Sequence, residues 1–411
     1  MFLNARSFGT KRSVFQIIMG TMFLCIVLLS TPISYAQEPK PPIKIGILYP
    51  FTGPETYLGK RQLRGWELSL EQVDYKVAGR PIKLIVEDDK SDPSVGVTKV
   101  TKLIEQDRVH LLGGLTSSAV AYAIGDIVHR REIPLIITMA NAGGLTREKR
   151  SPFIFRTIVP GGTPSHYMAQ FLYDELKLRK AVFSAADYAY GHEHAALFKK
   201  EFERLGGQVL FQNFAPLGTA DYGPYCIKLA EFAGKADALH FVYSGADSIR
   251  FVKTAAEYGL KKKFTCSSFG ATTDGAMLAQ MGSAAEGIYP MCIYAFGLKN
   301  QANERFLELD RKKGGSIDIL DELGYVGAEA VLHALKKIQG NIEAKDQFLK
   351  ALREVQFECP TGPVRFDPRS QNALINLIIA KVTKVDGEFG EFQNIPIKIV
   401  QQAQDPWWFG K

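Results

Sequence analysis

From residue 43 onward, short apolar runs alternate with stretches whose apolar residues recur at helical spacing. Ile43–Leu48 (IKIGIL) predicts a first strand, and Tyr49–Gly59 a loop. Arg61–Asp74 carries Leu63, Trp66, Leu70 and Val73 on one face and predicts a helix. Ile82–Glu87, Val109–Leu112 and Pro134–Thr138 predict further strands, with helices at Val95–Gln106 and Ala119–Val128 between them. Strand–helix alternation of this kind argues for a parallel sheet with helices on both faces. The pattern then restarts. Strands are expected at Phe153–Thr157, Lys180–Ala185, Gln208–Phe214, Ala238–Tyr243 and Lys263–Ser267. Helices are expected at Ser165–Leu176, His192–Leu205, Tyr222–Ala233 and Asp247–Tyr258. Past Gly287 the order is less regular. Ile288–Tyr294 predicts a strand, then Asn303–Lys313, Gly324–Ile338 and Ala344–Glu354 predict helices. Gly362–Phe366 and Leu374–Val385 read as antiparallel edge strands, the second ending at the Asp386-Gly387 hairpin signal. The fold class expected is α/β, with two Rossmann-like lobes crossed several times by the chain.

The stretch Leu111–Val120 (LLGGLTSSAV) stands out. Two glycines permit a sharp turn after a strand, and Thr116, Ser117 and Ser118 follow at a helix start. Spare N–H donors and the positive end of the helix dipole make such a turn attractive to a carboxylate or carbonyl group. An ordinary helix cap would look the same.

The first 36 residues break the alternation. Arg6, Lys11 and Arg12 precede the apolar run Val14–Leu29, and Ser34-Tyr35-Ala36 places small residues before Gln37. This is the pattern of a secretory signal peptide cleaved after Ala36, and the run is short for a membrane span. Export to the periplasm is the expectation. Removing three cations reduces the net charge from +7 to about +4, scattered along the chain. Lys261-Lys262-Lys263 is the densest basic spot and reads as a solvated turn, so nucleic acid is not an expected partner. Cys226, Cys266, Cys292 and Cys359 are too irregularly spaced for a zinc site. In an oxidising compartment they leave open one or two disulfides, or four small buried apolar residues.

Catalytic signatures are scarce. The sequence has no G-x-S-x-G, no P-loop, and no G-x-G-x-x-G after a strand. His192-Glu193-His194 lacks the i, i+4 spacing of a helical zinc pair and reads as a surface helix start. Asp88, Asp89 and Asp92 fit a turn and cap better than a cation site. Ser117 would be a nucleophile only with a base the sequence does not locate. No enzyme, cofactor or metal is expected.

Nine segments together resemble the leucine/isoleucine/valine-binding branch of type I periplasmic solute-binding proteins. They are IKIGILYPFTGPETYLG (43–59), LIVEDDKSDP (84–93), LLGGLTSSAVA (111–121), IPLIITMANAGGLT (133–146), FIFRTIVPGG (153–162), YAYG (188–191), FVYSGAD (241–247), AAEGIY (284–289) and GPVRFDPRSQN (362–372). The resemblance implies a protein that delivers a solute to an ABC transporter's permease subunits in the inner membrane. It implies one lobe of residues 43–157 plus 290–365 and another of 158–289 plus 366–411. Hinges would fall near Arg156–Pro160, Ile288–Ala295 and Val364–Pro368, with a monomer as the working form. The family's carboxylate-binding serine falls at Ser117, beside Thr116 and Ser118. Its backbone donor–acceptor pair falls near Ala140, in the Ala140-Asn141-Ala142 loop, and its second-lobe tyrosine at Tyr190.

Two positions depart from the family. The threonine hydroxyl falls around Ala142, which has no donor. The carboxylate that pairs a ligand ammonium falls near Ser268 or Phe269. An unpaired buried ammonium is expensive, so an ordinary amino acid fits poorly unless Asp247 or Asp187 substitutes. Tyr49, Phe51, Tyr57, Tyr190, Tyr243 and Phe269 offer rings that could stack on a flat ligand. The expected solute is a small carboxylate or amide, amino acid or aromatic, held by Thr116–Ser118 and the loop at Ala140. A ligand sensor signalling to a membrane partner, and a secreted hydrolase on the same scaffold, are the competing classes.

Overall fold

Strand β1 (Ile43–Tyr49) is apolar at nearly every position, as a strand covered on both faces must be. In the computed structural model, which describes residues 40–409 except 316 and 388, β1 lies at the centre of a six-stranded sheet. Its other strands are β2 (Lys76–Val77), β3 (Arg80–Asp88), β4 (Leu111–Gly114), β5 (Leu135–Ile137) and β6 (Ile154–Arg156), in the order β2-β3-β1-β4-β5-β6. All pairings are parallel except the short β2–β3 hairpin. Helices α1 (Thr56–Glu71), α2 (Pro93–Glu105) and α3 (Ser118–Arg131) connect them.

The second sheet is mixed. Strands β7 (Lys180–Ala186), β8 (Gln208–Ala215), β9 (Ala238–Val242), β10 (Thr265–Phe269) and β11 (Tyr289–Cys292) are parallel. Strands β12 (Gln356–Cys359), β13 (Gly362–Phe366), β14 (Ala373–Lys384) and β15 (Phe392–Ala403) extend it antiparallel. Its helices are α4 (Thr163–Gln170), α5 (Ala189–Arg204), α6 (Gly223–Ala230), α7 (Gly245–Glu257), α8 (Leu260–Lys263) and α9 (Gly275–Met281). After β11 come α10 (Gln301–Arg311), α11 (Ile319–Lys337) and α12 (Lys345–Arg353). Of these, α11 packs along α1, so this segment returns to the side of the first sheet. The β12–β13 hairpin packs on α10–α12, so chain passages at β6–α4, β11–α10 and β13–β14 join two α/β layers. At the first of these Arg156 pairs with Asn372, so two of the connections run side by side.

Several expectations are corrected. Only one of the two glycines makes the turn after β4: Gly113 lies within the strand, whereas Gly114, at φ 119°, and Leu115, at φ 69°, turn the chain. A Cβ at Gly113 would stand 2.6 Å from the Trp66 ring, and one at Gly114 2.4 Å from the Leu48 carbonyl oxygen. Gly113 thus serves close packing, and Gly114 both packing and the turn. Helix α1 begins at Thr56, earlier than expected, because Gly59 fits inside it against Pro50. Strand β14 is interior rather than an edge: it is flanked by β13, β11 and β15. Helix α9 and strand β12 are too short to show a period, and β15, which alternates Ile395, Ile397 and Ile399, is a further strand beyond those expected. Among the described residues, Cys226, Cys266, Cys292 and Cys359 all carry buried free thiols, as small apolar residues would. The signal-peptide reading lies outside the described residues. No helix among the described residues is long and apolar enough to cross a membrane.

Candidate functional site

In an open parallel sheet, ligands gather beyond the carboxyl ends of the strands, where the strand order reverses. In the first sheet that point lies between β1 and β4, where the Leu115 N–H donates to the Leu48 carbonyl at 2.9 Å. The turn Thr116–Ser118 therefore emerges at the switch point. In the second sheet the reversal is at β7, between β8 and β9. Helices α5 and α7 start just beyond β7 and β9, where the Tyr188 hydroxyl pairs with Ser244.

A buried polar chain runs into the turn. The Trp66 indole N–H donates to the Tyr49 hydroxyl at 3.1 Å, which pairs with Thr138 Oγ1 at 2.8 Å. Thr138 donates to Gln62 Oε1 at 2.8 Å, and Gln62 Nε2 donates to Thr116 Oγ1 at 3.0 Å. Thr116 enters as an acceptor, and its own O–H is not spent in that bond. Ser117 caps α3, its Oγ accepting from the Val120 N–H at 3.5 Å. Ser118 Oγ accepts from the Ala142 N–H at 3.2 Å and so ties the turn to the loop after β5.

That loop is held from several sides. The Ala140 N–H donates to the Leu115 carbonyl at 2.9 Å, so it serves the fold. The Gly161 N–H donates to the Asn141 carbonyl at 2.7 Å, and the Asn141 side chain pairs with the Tyr190 hydroxyl. Arg156 is fully buried beneath the loop and donates from Nη1 to the Ala142 carbonyl at 2.9 Å. Burial lowers its pKa to about 10, which leaves it charged at neutral pH. Burial likewise holds Tyr190 protonated, with its pKa well above the usual phenol value.

Opposite stands an aromatic wall. The Tyr190 ring lies 6.1 Å from Phe269 at the end of β10 and 4.4 Å from the His194 ring. Ser268, beside Phe269, is buried, and its Oγ has no hydrogen-bond partner among the described residues. No carboxylate stands in this position.

Residues 42–387 match the periplasmic binding protein family. The chain belongs to that family. This binding protein is similar to a Leu/Ile/Val-binding protein homologue of Brucella melitensis, 25% identical over 93% of this chain and 97% of that one. Among solved structures it is similar to an ABC transporter substrate-binding protein from Sphaerobacter thermophilus, with 36% identity, 89% and 99% coverage and a TM-score of 0.86. It is also similar to a solute-binding protein of an ABC transporter from Rhodopseudomonas palustris BisB5, whose structure holds 3,4-dihydroxybenzoic acid. There the identity is 28%, the coverage 89% and 99%, and the TM-score 0.80. The protein is a solute-binding component of an ABC transporter and not an enzyme.

In this binding protein the expected residues separate into groups. Ser118, Asn141, Ala142, Tyr190 and Phe269 form one contiguous series of contacts, with Thr116, Ser117 and Ala140 at its first-sheet end and Ser268 at the other. Asp247 and Tyr57 do not join it. Asp247 forms an ion pair with Arg250 and accepts from the Gly218 N–H at 3.0 Å. The Tyr57 hydroxyl donates to Asp318, at the start of α11, at 2.6 Å. Tyr49 and Tyr243 are core residues whose hydroxyls bond inside their own layers. Asp187 faces solvent beside His192.

The triplet His192-Glu193-His194 is not uniformly a surface helix start. Glu193 pairs with Arg147, and His194 is fully buried. Arg147 also holds Asp405, which ties the loop after β5 to α5 and to the C-terminal segment. Nothing local in the sequence marks Arg147, Arg156 or His194 as belonging here, because their partners lie on other elements.

Proposed function

We propose that the solute is a small aromatic carboxylate. Its carboxylate sits at the Thr116–Ser118 turn and its ring lies against Tyr190 and Phe269. The carrying observation is the chemistry around the end of β10: Ser268 and Phe269 stand there, and the nearby Asp247 is already neutralised by Arg250. An α-ammonium brought to this point would be buried without a counter-charge, at a cost of several kcal/mol. The first-sheet side favours an anion. The N-terminus of α3 supplies backbone donors, Thr116 has a proton to give, and the buried Arg156 cation lies under the adjoining loop. The ligand of the Rhodopseudomonas relative supports the same class.

Two lobes, residues 43–157 plus 290–365 and 158–289 plus 366–411, close over the solute about the three chain passages. Closure is stabilised by contacts the ligand makes only when both sides reach it. The protein is exported after cleavage at Ala36, works as a monomer and hands its solute to inner-membrane permease subunits.

Calorimetric titration of the purified protein with benzoate, hydroxybenzoates and leucine tests the reading. Benzoate-type acids are expected to bind in the micromolar range or tighter, and leucine at least tenfold more weakly. A preference for leucine overturns it.

A further inference from the structure

Behind the aromatic wall runs a second buried polar chain. Ser165 Oγ in α4 lies 2.6 Å from His194 Nδ1 and 2.9 Å from His240 Nε2. His240 Nδ1 lies 3.0 Å from Ser267 Oγ in β10. The result is a line, Ser267–His240–Ser165–His194, through the interior of the second layer. All four side chains are fully buried. One end is open: His194 Nε2 is buried and has no hydrogen-bond partner among the described residues. The His194 ring stands 4.4 Å from Tyr190 and 5.1 Å from Phe269, so the open nitrogen belongs to the aromatic wall. Two further buried hydroxyls without a partner flank it in the fold: Thr163 at the start of α4 and Ser268 at the end of β10. Buried polar atoms are rarely left unpaired in native proteins, and each such atom is costly.

The proton arrangement of this line limits what can complete it. Burial lowers the pKa of both histidines to about 3, so each ring is neutral and carries one N–H. A hydroxyl between two neutral imidazoles accepts from one and donates to the other. The line therefore has two arrangements. With protons running from His194 toward Ser267, Nε2 is a bare acceptor. With the order reversed, Nε2 carries the N–H. A carboxylate satisfies only the second arrangement, and a ring C–H satisfies neither. A hydroxyl satisfies both.

Resting on the aromatic-carboxylate reading above, we propose that His194 Nε2 recognises a hydroxyl substituent on the ligand ring. The bound solute is then a hydroxylated aromatic acid. Its ring lies against Tyr190 and Phe269, its carboxylate at the Thr116–Ser118 turn and its hydroxyl on His194. An unsubstituted ring leaves the nitrogen unpaired and binds more weakly for that reason.

Calorimetry with benzoate, 3-hydroxybenzoate and 4-hydroxybenzoate tests this. The tighter of the two hydroxybenzoates is expected to bind the wild-type protein at least tenfold more tightly than benzoate does. His194→Phe is expected to cut that ratio to within threefold. Equal affinities in the wild type, or the full ratio retained in H194F, overturn the inference and leave the aromatic reading standing. If none of the three acids binds the wild type, the aromatic reading itself fails and this inference falls with it. Should H194F not fold by circular dichroism, nitrogen-15 spectra of histidine-labelled wild type decide. The hydroxylated acid is expected to move one neutral-imidazole ring nitrogen that benzoate leaves in place, and the absence of that shift overturns the inference.

Discussion

Trp66 and Gly113 show how one residue makes room for another. The indole lies on the strand backbone where a side chain would stand, and its N–H starts the polar chain that ends on Thr116. Gly113→Ala puts a methyl group 2.6 Å from that ring, with no flexible group to yield. Overpacking of this kind costs about 1–3 kcal/mol, and a thermal melt should show a midpoint lower by several degrees. At the chain's other end, Thr116→Val keeps the shape and removes the hydroxyl. Gln62 Nε2 then loses its acceptor at 3.0 Å. Nε2 keeps its longer bonds to the Leu58 carbonyl at 3.3 Å and Met139 Sδ at 3.4 Å, so the loss is that of one hydrogen bond, roughly 0.5–1.5 kcal/mol. The variant should therefore melt lower and, on the proposed binding mode, hold an aromatic carboxylate about tenfold more weakly, a loss of ~1.4 kcal/mol. Undiminished affinity in calorimetry would place the carboxylate elsewhere. The hydroxyl run at 116–118 and Tyr190 were legible in the sequence because short motifs at strand ends announce themselves. His194 was not, because burial is a property of what packs over a residue, and its own segment looks polar.

Among the elements, α11 carries the clearest electrostatic signature. Glu322 lies on its buried face and hydrogen-bonds Thr361, between β12 and β13. Burial raises its pKa from the ordinary 4.5 to about 8, so the folded protein holds this carboxyl protonated at neutral pH. The unfolded chain releases that proton above pH 4.5. The folded state then binds more protons than the unfolded one between pH 4.5 and 8, and stability falls as pH rises through that window. The slope is at most ~1.4 kcal/mol per pH unit. His166, His194 and His240, whose pKa values burial lowers to about 4, 3 and 3, act oppositely and only below about pH 6.5. Glu322→Gln removes the titration and keeps the hydrogen-bonding shape. Denaturant melts of the variant should lose less stability than the wild type between pH 5 and 8. Parallel curves would show that Glu322 is ionised in the folded protein. The boundaries of the long periodic helices were readable to within a few residues, except at the starts of α1 and α11, which begin at Thr56 and Ile319 rather than Arg61 and Gly324. Helix α9 and strand β12 are too short to write a period, whereas β15 does alternate, at Ile395, Ile397 and Ile399, but turns Ile397 and Ile399 to solvent.

On the scale of the whole molecule, four buried thiols and two α/β layers joined by three passages define what solution experiments should see. Burial raises the Cys226 and Cys266 pKa values to about 12 and pushes those of Cys292 and Cys359 higher still. A thiol reagent should find none of the four accessible in the native protein and all four in denaturant. Reductant should leave the melting midpoint unchanged, whereas a fall would reveal a disulfide. The chain's apolar periods alone determined that it forms parallel α/β layers, because a strand covered on both faces and a helix covered on one each write their period into neighbouring residues. They also determined which turns carry hydroxyls. Tertiary structure alone decided that β14 is interior and that Asn141 meets Tyr190. It also decided that an imidazole nitrogen is left unpaired beside Phe269. Each of these depends on residues distant in sequence arriving at one place, and no local pattern encodes that meeting.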